Sequence, residues 1–112
     1  MKYLTLFVVV SILLLPPIAR AHSVLGASDP AQNAILTDAP ETITPRFQKG
    51  LRLTAIRLDG SKLKLPKQRG FGREIVVDLP QMTPGAYEVE WRGLSEDGHS
   101  VKGTIGFVVN RR

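Results

Sequence analysis

From residue 41 onward the chain alternates apolar and polar residues with a period of two, the mark of half-buried strands. Between Glu41 and Phe47, Ile43 and Phe47 fall on one side, with Thr42, Thr44 and Arg46 on the other. From Leu51 to Leu58 the apolar positions run 51, 53 and 55, then change phase to Ile56 and Leu58. A change of phase predicts a bulge or burial of both faces. Ile75, Val77 and Leu79 predict a short strand. Tyr87, Val89 and Trp91 oppose Glu88, Glu90 and Arg92, and Val101, Ile105, Phe107 and Val109 complete the last strand. Asp59-Gly60 is a hairpin signal joining Leu51–Leu58 to Lys62–Leu65. Thr83-Pro84-Gly85 marks the turn into the Tyr87 strand, and Pro30, Pro40, Pro66 and Pro80 punctuate the rest. No ten-residue stretch beyond residue 21 has helical period. The expectation is an all-β sandwich or barrel of about seven strands. Its predicted core is Val24, Ile43, Phe47, Leu53, Ile56, Val77, Tyr87, Val89, Trp91, Ile105 and Phe107.

The first residues follow another rule. Lys2 precedes an apolar run from Leu4 to Leu15, Pro16-Pro17 breaks it, and Ala19-Arg20-Ala21 places small residues where a signal peptidase reads. The run is shorter than the roughly 20 residues a spanning helix needs. The pattern predicts a secretory signal peptide over 1–21, cut after Ala21, and a single soluble domain over 22–112. Cleavage removes Lys2 and Arg20, so fifteen basic residues become thirteen against ten acids, a net charge of +3.

That charge is unevenly spread. Residues 46–73 carry nine basic side chains and one acid, Asp59, whereas residues 74–97 carry six acids and one base, Arg92. A basic segment can face anionic lipid or an acidic partner, though a solvated face is the commoner case. Nucleic acid is not an expected partner, because the net charge is modest and no aromatics are interleaved for base stacking. The chain has no cysteine, so a metal site has to use histidine, carboxylate, the terminal amine or Met82.

There are two histidines, His22 and His99. Taken alone, Asp97-Gly98-His99 reads as a solvated turn, and some residue has to follow any cleavage site. Together they suggest more. Cleavage after Ala21 gives His22 a free amine, which can close a six-membered chelate ring with its own imidazole Nδ1. His99 adds a second imidazole and Asp97 a carboxylate oxygen. Three nitrogens and one oxygen suit tetragonal Cu(II). Amine and imidazole must both lose protons to bind, so affinity should fall in acid.

The segments "AHSVLGASDPAQNAIL" and "PGAYEVEWRGLSEDGHSVKGTIGFVV", with the signal ending directly before His22, resemble the CopC copper-resistance family of periplasmic proteins. The resemblance covers nearly all of the chain beyond the signal. It implies a Greek-key β-sandwich, cupredoxin- or immunoglobulin-like, with His22, Asp97 and His99 as Cu(II) ligands and Trp91 near the site. It also implies periplasmic copper sequestration, or delivery to an inner-membrane copper transporter. Some members carry a methionine-rich Cu(I) site; Met82 alone cannot build one, so a Cu(II)-only protein is expected. Two other readings compete. An N-terminal histidine also resembles the copper brace of lytic polysaccharide monooxygenases, but Asp97 would fill the position such an enzyme keeps open, so no enzyme is expected. The other is a metal-free exported interaction module.

Overall fold

The computed structural model describes residues 24–110, and eight strands account for most of them: β1 (Leu25–Asp29), β2 (Ala34–Leu36), β3 (Thr42–Leu58), β4 (Ser61–Lys62), β5 (Gly72–Glu74), β6 (Val77–Asp78), β7 (Gly85–Ser95) and β8 (Ser100–Val109). The fold is all-β, as the alternation predicts. The sheet runs β1-β3-β7-β8-β2, with β4, β5 and β6 also pairing with β3.

β3 organises the molecule. Its seventeen residues are too many for one straight strand of ordinary length, and its pairing slips in three ladders, first with β1 between Leu25 and Ala27. A second irregularity lies between Arg46 and Leu51 in the ladder with β5. The third lies between Leu53 and Ala55 in the ladder with β7, where the sequence changes phase, so the bulge reading holds. The first half of β3 pairs with β1 and β6, and the second with β4 and β7. One strand thus serves two walls. Edge strands β1 and β2 are joined by residues 30–33 only. Gln32 ties that link to β8, accepting from Gly106 N at 2.5 Å and donating to Thr104 O at 3.2 Å. The sheet therefore curls into a half-barrel.

The interior is apolar. Ile43, Phe47, Leu53, Ile56, Val77, Val89, Trp91, Ile105 and Phe107 are buried as predicted, together with Leu51, Leu58, Ile75 and Val109. Val24 and Tyr87, also expected inside, are only partly buried against that core. Tyr87 turns its hydroxyl outward to donate to Thr83 O at 2.5 Å, which is why its ring stops at the rim. Trp91 meets Phe47 edge-on, ring centroids 5.0 Å apart, bringing the two halves of β3 together through β7.

Two turns follow from local chemistry. Asp59 and Gly60 both have positive φ, 48° and 88°, the requirement of a type I′ hairpin, which Asp-Gly meets with little strain. They join Leu58 to Ser61 in direct register. The β7–β8 hairpin is the longest regular ladder, from Gly85↔Val109 to Leu94↔Ser100, and Ser95 to His99 form its tip.

Candidate metal centre

The tip of the β7–β8 hairpin is closed by its own backbone. Ser95 N donates to His99 O at 2.9 Å, and Gly98 N to Ser95 O at 3.0 Å. Gly98 has φ 87°, a left-handed conformation that glycine adopts without penalty. That residue reverses the chain and brings Asp97 and His99 side by side. Asp97 Oδ2 lies 3.1 Å from His99 Nδ1. They meet on an exposed turn, as Asp97-Gly98-His99 reads in the sequence, with side chains 60% and 79% exposed.

Ser95 completes the arrangement. Its Oγ donates to Asp97 Oδ1, and His99 N donates to the same oxygen at 3.4 Å. The Ser95 hydroxyl foremost, then His99, hold the Asp97 carboxyl down at about 2, below the ordinary 3.8. Asp97 is thus ionised and oriented at any physiological pH. Sequence reasoning missed Ser95, whose only signal is a hydroxyl two residues before an aspartate, a spacing common in turns.

The spacing of the two donors suits a metal. Bonds of about 2.0–2.2 Å, as imidazole nitrogen and carboxylate oxygen make to zinc, put two ligands at right angles about 3 Å apart. The Asp97–His99 separation matches that. Two donors are not a complete site, and no group of three histidine, cysteine, aspartate or glutamate side chains is gathered among the described residues. The third predicted ligand, His22, lies outside the described residues, as does the 1–21 signal segment.

The described chain begins close to this tip. Gln48 N donates to Val24 O at 2.9 Å, and β1 runs antiparallel to β3 with Leu25 opposite Phe47. The described chain therefore starts at the Gly50 end of that ladder. Gly50 abuts the tip: a Cβ there would sit 2.7 Å from Glu96 Oε2. Gly50, a second residue the sequence did not single out, lets the tip lie close against β3. Trp91 sits in the core, four residues along β7 before Ser95.

Comparison with known proteins agrees with this architecture. The family model for the CopC domain matches residues 25–110. Protein YobA of Escherichia coli K12 is 34% identical over 105 residues, covering 86% of this chain and 85% of that protein. Copper resistance protein C of Xanthomonas campestris pv. juglandis is 33% identical over 106 residues, covering 81% and 82%. Among solved structures, the crystal structure of CopC from Methylosinus trichosporium OB3b superposes with a TM-score of 0.70 at 28% identity, over 81% of this chain and 96% of that one. With the domain match over residues 25–110 and the fold in agreement, the chain belongs to the CopC family of copper-resistance proteins.

Proposed function

We propose that this protein is exported, cut after Ala21, and captures Cu(II) in the periplasm with the amine and imidazole of His22, the carboxylate of Asp97 and the imidazole of His99. Copper is its cargo, held for sequestration or for delivery to a membrane transporter; the protein is a carrier and not a catalyst. The observation that carries this reading is the Asp97–His99 pair, set at 3.1 Å on an exposed turn, with the described chain starting at the Gly50 end of the β1–β3 ladder. One residue separates His22 from Val24, and an extended chain advances at most about 3.5 Å per residue. By chain length alone His22 can lie no more than roughly 7 Å from Val24, the residue just before β1. The three nitrogens and one oxygen match the preference of Cu(II), and Met82 is the only methionine beyond the signal segment, too few for a thioether Cu(I) site.

The test is a Cu(II) titration of two proteins, one starting at His22 and one with a single residue added in front, followed by electron paramagnetic resonance. A one-to-one site with nitrogen hyperfine structure is expected in the first, weakened in the second and in Asp97→Ala and His99→Ala. Equal affinity in all four would refute the ligand set.

A further inference from the structure

The basic stretch of the sequence is a displayed surface that borders an exposed apolar patch. Along residues 60–73 there are five cationic side chains, Lys62, Lys64, Lys67, Arg69 and Arg73, and no acid. All five are exposed, while Leu63 and Leu65 turn inward against the core. Gln68 fixes the loop to the body, accepting from Leu53 N at 2.7 Å and donating to Leu53 O at 3.0 Å. Between Gly70 and Gly72, just before β5, Phe71 is 44% exposed, and Val76 is 51% exposed. Lys67, Arg69, Phe71 and Val76 line one shallow hollow of about 380 Å³. The one acid on its wall, Glu74, is engaged by Arg46 Nε at 2.7 Å, so it does not offset the cations at the loop.

We infer that this loop docks the domain onto a bilayer rich in anionic phospholipid, with Phe71 and Val76 entering the interface and Lys64, Lys67, Arg69 and Arg73 meeting headgroup phosphates. An apolar wedge ringed by cations is the chemistry of peripheral attachment to anionic membranes. A hollow this size accepts a phosphate headgroup but does not seat a helix about 10 Å across, which favours lipid over a helical protein partner. Phe71 is also close to the hairpin tip: a Cβ on Gly50 would lie 3.2 Å from Phe71 Cβ as well as against Glu96. Docking through Phe71 would bring the Asp97–His99 turn near the bilayer. The inference itself stands without copper.

The experiment is flotation of residues 22–112 with vesicles of phosphatidylcholine alone or mixed equally with phosphatidylglycerol. The core formed by the described residues is built from Ile43 to Val109, all within this stretch, so the stretch carries what the domain needs to fold. The expected result is binding to phosphatidylglycerol vesicles only, reversed by about 0.5 M salt, where the screening length is only a few ångströms. Lys64→Glu, Lys67→Glu and Arg69→Glu combined should weaken binding about a hundredfold or more, and Phe71→Ser about tenfold. Phe71→Trp should show a blue-shifted emission on those vesicles, above the constant signal of buried Trp91. The near-ultraviolet signal of Trp91 verifies that the charge and serine variants are folded. No flotation at low salt, undiminished flotation of the triple variant, or Phe71→Trp emission that stays at the water-exposed position would each overturn the inference. So would binding to soluble polyglutamate as tight as to vesicles, which would assign the surface to an acidic protein instead.

Discussion

Gly93→Ala tests the packing that holds the candidate site in place. Gly93 lies in β7 opposite Leu53 of β3 and Val101 of β8, two residues before Ser95. A Cβ at this position would lie 2.5 Å from Leu51 Cδ2, 2.8 Å from Leu51 Cγ and 3.0 Å from Arg52 O. Leu51 is fully buried, so its side chain has no solvent to retreat into, and Arg52 O belongs to the backbone. Overpacking of this kind costs about 1–3 kcal/mol. Replacing glycine also restricts the unfolded chain, which returns about 0.4–1 kcal/mol. The net expectation is a loss of about 1–2 kcal/mol, or roughly 4–16 °C in Tm for a domain of this size.

A double-mutant cycle makes the reasoning sharper. Leu51→Ala alone should cost about 2–5 kcal/mol by leaving a cavity. In the double variant the new methyl enters space that Leu51 has vacated, so the two losses should fall short of additive by about 1 kcal/mol or more. The assay is thermal and urea unfolding of the four proteins, followed by the fluorescence of Trp91, the only tryptophan in the chain. Additivity within about 0.5 kcal/mol, or a Gly93→Ala protein as stable as the parent, would refute the claim that Leu51 and Gly93 exclude each other's volume.

Two further outcomes are expected. Because the folded-state pKa of Asp97 lies below its ordinary value, its contribution to stability is present above about 3.8 and is lost as pH falls through about 2. A carboxyl carbon titration by NMR should therefore give a midpoint near 2, moving up in Ser95→Ala; an unmoved midpoint in that variant would remove Ser95 from the site. Gln68→Ala strips both Leu53 backbone groups of their side-chain partner and should cost about 1–3 kcal/mol, with faster amide exchange at Leu53. Unchanged exchange there would mean the 63–71 loop is held by other contacts.

The sequence exposed the parts of this fold that alternate, and hid those that exist only through pairing. The β7–β8 hairpin and the second half of β3 are legible because large apolar residues fall on every other position, and the Leu53–Ala55 bulge because the phase changes there. β1 is not legible: Leu-Gly-Ala-Ser-Asp has one large apolar residue, and it is a strand because β3 offers an edge. β2 is three residues long and is fixed by its parallel register with β8. The Ile75–Leu79 strand contracts to Val77–Asp78, although Ile75 N and Leu79 N still donate to Pro45 O and Glu41 O across from it. At the hairpin tip the two candidate donors, Asp97 and His99, were readable from composition, but the way they meet was not. Their approach depends on the left-handed Gly98 and on the Ser95 hydroxyl, and period-two reasoning sees neither.

In the proposed site, that geometry would divide the proton competition for the metal between two kinds of donor. Asp97 remains ionised down to about pH 2 because Ser95 and His99 hold its carboxylate, so acidification through the neutral range leaves this donor intact. Under the proposed ligand set, the nitrogen donors must be deprotonated to bind, so copper lost on acidification would leave by protonation at nitrogen, with the hairpin still presenting its carboxylate. The fold then need only hold one turn still, and the ladder from Gly85 to Leu94 against β8, locked over Leu51 at Gly93, is built to do that.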